Sequence, residues 1–227
     1  MKRKTLWKGS YGRDAHMNQP VGYNQQPKKR PAWMVGGATV VSFVVLLYVI
    51  EIFDQLSGHS LDRNGIRPLE SDGLTGIIFA PLLHADWAHL VANTVPALVL
   101  GFLVTLAGMS RFIWATAIIW ILGGIGTWLI GDLGSQYETN HIGASGLIFG
   151  WLTFLLVFGF FVRSALQITI GIIVLFVYGG ILWGVLPGTF GVSWQGHLCG
   201  AVAGVVAAYL LSKPERTTRQ LRRPVTP

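Results

Sequence analysis

Four side chains capable of polar chemistry stand in stretches of sequence that are otherwise apolar: His89, Asn93, Ser145 and His197. A polar group in hydrocarbon is costly and turns toward the interior of a helix bundle, which makes it a functional candidate by default. A serine hydroxyl is a weak nucleophile until a neighbouring imidazole takes its proton, and the same imidazole can later protonate a leaving amine. Histidine suits that task because its unperturbed pKa is about 6.5. Ser145 and His197 are such a pair. No Asp or Glu lies in their apolar segments to orient the imidazole. The expectation is a Ser–His dyad with packing in place of a third member.

The residues around each candidate sharpen this reading. In His84-Ala85-Asp86-Trp87-Ala88-His89-Leu90-Val91-Ala92-Asn93, the last histidine and the asparagine are four apart and share one helix face. Both can donate to a developing oxyanion, and one such donor is typically worth about 2.7–4 kcal/mol. His84 lies five before His89, about 140° round a helix, and need not face the same way; a structural or water-related role suits it better. In Gly143-Ala144-Ser145-Gly146-Leu147-Ile148-Phe149-Gly150, the small flanking residues leave the serine hydroxyl unshielded. A serine at a helix start also has nearby backbone N–H groups without an intrahelical acceptor. The Gly-x-Ser-x-Gly elbow of α/β-hydrolases is missing. Gly196, Gly200, Gly204 and Ala208 form a four-residue ladder of minimal side chains, and Gly146 and Gly150 repeat that spacing. Such ladders let helices approach closely in a bilayer. Ser145 and His197 each adjoin a ladder glycine, so facing ladders bring them together near one end.

The elements that must position these residues are membrane spans. The chain has 227 residues, of which 52% are hydrophobic and 12% charged, against about 25% charged in soluble domains. That balance excludes a disordered chain, a coiled coil and a water-soluble globular domain. A single cysteine excludes a disulfide framework or a thiolate zinc site. With about 20 apolar residues per span, the sequence divides into six: 32–50, 87–108, 112–131, 143–162, 166–185 and 194–211. The fold class expected is therefore an all-α polytopic membrane protein. Residues 1–31 read as a disordered basic tail, 32–212 as the six-span domain and 213–227 as a second basic tail, the helix ending at Lys213. The connection 51–80 is unusually long for a bundle, and its apolar end, 73–81, suits the membrane interface.

The charges set an orientation. Of 17 Lys and Arg, 15 fall in the two tails and at Arg111 and Arg163; the other two are Arg63 and Arg67. By the positive-inside rule both termini are cytoplasmic. The net charge of +7 is thus a topology signal with contacts to anionic lipid, and no nucleic-acid partner is expected.

Taken together, these residues resemble the rhomboid family of intramembrane serine proteases. The match consists of His84-x4-His89-x3-Asn93, Gly143-Ala144-Ser145-Gly146, and His197 followed by the glycine ladder, in order and in the expected spans of a bacterial six-span core. The resemblance covers about residues 32–212. It implies a serine endopeptidase with Ser145 as nucleophile, His197 as base, and His89 and Asn93 joining the Ser145 N–H as oxyanion donors. His84, Gly143, Gly146, Phe149 and Gly200 are supporting residues. It also implies transmembrane proteins as substrates, cut near the outer face after small residues in helix-destabilising sequence. The active site faces outward from a bacterial inner or plasma membrane, and no cofactor or metal is required. The loop after the first span resembles the family's membrane-embedded loop, and the fifth span its lateral gate. Two positions depart from the family. Phe149 stands where tyrosine is frequent, keeping the ring and losing the hydroxyl. The Trp-Arg pair of the first loop is missing, since Arg63 and Arg67 have no adjacent tryptophan.

Other readings account for less. A proton-relaying transporter or channel explains buried histidines but not the Gly-x-Ser-Gly start, and the halves show no self-similarity. A metal-dependent hydrolase using His84, His89 and His197 lacks His-Glu-x-x-His. An inert pseudoprotease that binds membrane helices shares the fold, but the matched catalytic positions are intact. His141 reads as loop structure, Asp86 and Trp87 as interface residues, Cys199 as packing, and His16 and His59 carry no signal.

Overall fold

The computed structural model of the chain describes residues 30–188 and 191–221, with side chains as far as Lys213. The reading of residues 1–29 as a disordered tail lies outside the described residues. Among the described residues, six helices are long and apolar enough to cross a membrane. In chain order, α1 is Ala32–Leu56, α2 is the single turn Gly76–Phe79, and α3 is Trp87–Leu106. Helix α4 is Met109–Ile130, α5 is Ser145–Val162, α6 is Ala165–Tyr178, and α7 is Trp194–Leu221. All but α2 are the predicted spans, and the protein is a multi-pass helical membrane protein.

Three boundaries differ from expectation by more than three residues. Helix α1 runs past Ile50 to Leu56 and takes Glu51 and Asp54 into its buried face. Helix α6 stops at Tyr178 and continues as a tighter 3₁₀ run, Gly179–Val185; the change falls at the Gly179–Gly180 pair, a weak helix former. Helix α7 does not end at Lys213 but passes through Pro214 to Leu221. The residues beyond the proline are mostly good helix formers, which outweigh one missing N–H.

Helix α5 sits at the centre. Its side chains are buried nearly all round, including Trp151, Phe154 and Phe158. Helix α6 buries only Gly171 and Val174, and presents Leu166, Ile173 and Phe176 outward. Lipid tails are as apolar as leucine, so close packing and polar contacts must hold α5 to its neighbours. The two small-residue ladders provide the packing. A Cβ placed on Gly200 would collide with the carbonyl of Gly146, and one on Gly204 with the carbonyl of Gly150. Helix α4 joins the same seam, where a Cβ on Gly123 would lie 3.3 Å from the Gly200 Cα. Thr153 Oγ1 donates to the Ala201 carbonyl at 2.7 Å, a polar tie between α5 and α7.

The long connection after α1 is folded and pinned. Ile66 and His141 exchange both backbone hydrogen bonds at 2.9 Å. Two tryptophans of α4 donate into the same segment, Trp120 Nε1 to the Ile77 carbonyl at 2.9 Å and Trp128 Nε1 to the Glu70 carbonyl at 2.8 Å. Arg67 bonds Glu70, Asp72 and the Arg63 carbonyl. The apolar stretch 72–82 is helical and packs on α4, where Ile77 meets Gly124.

Gly200→Val forces α5 and α7 apart and lowers stability by about 1–3 kcal/mol or more, measured as the unfolding midpoint in mixed micelles. Val202→Ala, at an exposed position of the same helix, shifts it by less than about 0.5 kcal/mol.

Candidate active site

Ser145 is the first residue of α5. The turn before it depends on Gly143, whose φ of +119° is accessible to glycine. A Cβ there would also lie 2.6 Å from the His89 ring, so glycine permits both the turn and the approach of α3. The first intrahelical bond of α5 runs from the Ile148 amide to the Ala144 carbonyl at 3.0 Å. The amides of Ser145, Gly146 and Leu147 therefore have no acceptor within the helix. The Ala144 amide, one residue earlier, points to Nε2 of the buried His84 at 3.4 Å.

His197 lies in the first turn of α7, its Nε2 2.8 Å from the Ser145 Oγ. Its other nitrogen, Nδ1, is 2.9 Å from the backbone carbonyl of Gly184. A carbonyl can only accept, so Nδ1 carries the proton and donates. Nε2 is left as the acceptor for the serine hydroxyl. The Phe149 ring, one helical turn beyond Ser145, stacks on the imidazole with centroids 4.2 Å apart and planes 10° from parallel. A Cβ on Gly184 would come within 2.9 Å of Phe149 and 3.2 Å of His197 Nδ1, so this carbonyl reaches the imidazole only because the residue has no side chain. The expected packing is present, and a backbone carbonyl stands where a carboxylate third member would.

His89 and Asn93 share one face of α3. Asp86 caps this helix, accepting the His89 amide at 2.7 Å. The buried Asn93 spends one amide hydrogen on the His89 carbonyl at 2.9 Å. The His84 and His89 rings meet edge to face with centroids 5.0 Å apart. His89, Asn93, Ser145 and His197 line one cavity of about 590 Å³ together with Asp62, Asn140 and Ser193, a size suited to a bound ligand segment.

The structure thus brings together Ser145, His197, His89, Asn93, Gly143 and Phe149, with His84 behind the serine and Gly146 and Gly200 in the helix seam. Several contributors carry no recognisable signal in the sequence. The Gly184 carbonyl is backbone and has no residue-type signature. His141 belongs to a chain of polar groups and is more than loop structure. Thr139 Oγ1 donates to Asp132 at 2.6 Å and so accepts from His141 Nε2 at 2.7 Å. His141 Nδ1 then accepts from the Ser193 hydroxyl at 2.6 Å, and Ser193 caps α7 by accepting the Gly196 amide at 3.1 Å. Burial pushes the His141 pKa down, which favours this neutral arrangement. Asp86 is a helix cap, a role that an aspartate three residues before an amide at a helix start could have signalled.

A bundle of apolar helices around a hydrogen-bonded serine and imidazole defines a helical membrane protein with a polar centre among its spans. The sequence model of the rhomboid domain matches residues 71–214. The chain belongs to the rhomboid family, a family of intramembrane proteases. It is 66% identical over 220 residues to an uncharacterized protein of Mycobacterium tuberculosis, covering 93% of this chain and 92% of that one. It is 63% identical over 208 residues to an uncharacterized protein of Mycobacterium leprae, covering 89% and 82%. A protein of Acanthamoeba polyphaga mimivirus that bears the rhomboid name is 26% identical over 182 residues, covering 77% and 92%.

The hydrogen bond to Gly184 predicts that His197 is the Nδ1–H tautomer, which long-range ¹⁵N correlation spectra of histidine-labelled protein report directly. Gly184→Ala displaces the ring and removes that pattern. Gly180→Ala, with nothing within 4 Å of its added Cβ, preserves it.

Proposed function

We propose that this protein is an intramembrane serine endopeptidase that hydrolyses peptide bonds in or near transmembrane segments of other membrane proteins. The observation that carries this reading is the 2.8 Å contact between Ser145 Oγ and His197 Nε2, with Nδ1 engaged by the Gly184 carbonyl. That geometry leaves a lone pair on Nε2 aimed at the hydroxyl proton.

In this mechanism the Ser145 oxygen attacks the scissile carbonyl while its proton passes to His197 Nε2. The resulting imidazolium keeps its Nδ1–H on Gly184, and the Phe149 face lies against it, a cation–π contact. The tetrahedral oxyanion is stabilised by the free amide of Ser145 and by His89 and Asn93 from α3. Collapse breaks the C–N bond, and Nε2 returns its proton to the leaving amine. Water then attacks the acyl-enzyme, giving its proton to Nε2, and the acid product leaves as Ser145 regains its hydrogen.

The charge distribution supports a topology with both termini in the cytoplasm and the cavity opening toward the outer face. The high identity to mycobacterial proteins supports a bacterial plasma membrane as the site. Substrates are single transmembrane segments with small residues at the cut and helix-destabilising sequence around it, surrounded by lipid and not nucleic acid. Residues 32–212 are the catalytic unit, with the basic tails as topology signals.

Incubation of the purified protein with a panel of single-span substrates, with product termini mapped by mass spectrometry, tests the reading. Cleavage is abolished by Ser145→Ala and by His197→Ala, each still inserted and folded. Asn93→Ala lowers kcat by about 10²–10³ without ending turnover. Near wild-type turnover in either dyad variant contradicts the assignment, and an unchanged rate in Asn93→Ala removes that residue from the oxyanion site.

A further inference from the structure

The end of α1 and the loop after it build a second polar centre that the proposed hydrolysis does not use. Glu51 and Asp54 lie in the last turns of α1 with only 1% and 2% of their surfaces exposed. Beyond them the chain reverses through two left-handed residues, Gly58 (φ +69°) and His59 (φ +60°), and the His59 amide donates back to the Asp54 carbonyl at 2.9 Å. That reversal sets the His59 imidazole over Asp54. The 3₁₀ turn Asp62–Asn64 then delivers a second carboxylate to the same point. His59 Nδ1 lies 3.5 Å from Asp54 Oδ2 and 3.5 Å from Asp62 Oδ2.

Asp54 is the informative residue. Its Oδ1 accepts the Leu61 amide at 2.7 Å. Its Oδ2 is wholly buried, faces the cluster and has no hydrogen-bond donor, and Asp62 Oδ1 is likewise buried without one. An unpaired buried carboxylate oxygen is expensive unless a cation or donor meets it.

We propose that Asp54, His59 and Asp62 form a divalent-metal site suited to zinc. The donor set is one imidazole nitrogen and two carboxylate oxygens, all three within 4.8 Å of one another. A gap of 3.5 Å is long for a hydrogen bond. It matches the edge of a tetrahedron around one ion, which is about 3.4 Å for metal–ligand bonds of about 2.1 Å. Imidazole with carboxylates suits zinc better than magnesium, which prefers oxygen ligands and retains its water. Water completes the coordination on the exposed side of His59. The metal ties the C-terminal end of α1 to the following loop. Asp62 also lines the cavity that holds Ser145 and His197, and its carbonyl accepts from Asn140 Nδ2 at 2.7 Å. The bound ion therefore fixes one wall of the catalytic cavity without touching the dyad. Residue types spaced as Asp-x4-His-x2-Asp match no common metal motif, so nothing in the local spacing singles out His59.

Isothermal titration of tag-free, full-length protein, stripped with chelator and exchanged into chelator-free buffer, tests the site with zinc chloride as the probe. One zinc binds per chain with micromolar or tighter affinity, and the thermal midpoint rises. X-ray absorption of the complex shows nitrogen and oxygen neighbours near the usual zinc distances and no sulfur. His59→Ala, at a half-exposed side chain, and Asp62→Asn each weaken binding at least 30-fold while the zinc-free midpoint stays near wild type. Ser145→Ala binds zinc as wild type does, so the result stands apart from the fate of the protease reading. Absence of zinc binding in the wild type, or an affinity unchanged in both His59→Ala and Asp62→Asn, overturns the proposal.

Discussion

The contact on which this structure depends is backbone against backbone: α5 and α7 touch along Gly146, Gly150, Gly200 and Gly204, and a Cβ on any of the last three would collide with the facing main chain. A bilayer offers no hydrophobic drive to press helices together, so their separation is set by how little side chain lies in the seam. With that separation fixed at the main chain, a serine at the start of one helix and a histidine in the first turn of the other come to hydrogen-bond distance. Larger residues in the seam would widen it by more than the tolerance of a proton transfer, since misplacement by about 1 Å costs on the order of 10²-fold.

Around that seam, other elements fix the rotational state of each participant. Phe149 and the Gly184 carbonyl hold the His197 ring from its face and its far nitrogen. Asp86 holds the first turn of α3, and Ser193 the first turn of α7. The central position of α5 rests on its glycine seam with α7 and the Thr153–Ala201 hydrogen bond, since α6, nearly as apolar, faces outward. The lightly packed α6, with its 3₁₀ continuation carrying Gly184, forms the flank of the site with the fewest buried contacts. Segments of that kind open at low free-energy cost.

Much of this was legible beforehand because membrane insertion makes sequence literal: a span is a run of apolar residues, and a polar residue inside it has a reason to be there. The six spans, the facing ladders and the Ser145–His197 meeting all followed from that rule. What escaped notice involved atoms or turns without a residue signature. The Gly184 carbonyl that orients His197 is invisible in a list of side chains. Helix α1 outruns its apolar stretch, and Asp54 near its end accepts the Leu61 amide of the folded loop, a tertiary contact. Helix α7 passes Pro214 because good helix formers follow it. His59 acquires neighbours only through a left-handed turn that no local pattern announces.

Covalent modification by a serine-directed fluorophosphonate, with the modified peptide sequenced by mass spectrometry, probes the Ser145–His197 contact. The wild-type protein takes a single adduct on Ser145 and folded His197→Ala takes none, because the hydroxyl is reactive only while Nε2 accepts its proton. Modification at a different serine, or equal modification of Ser145 with and without the imidazole, would contradict it.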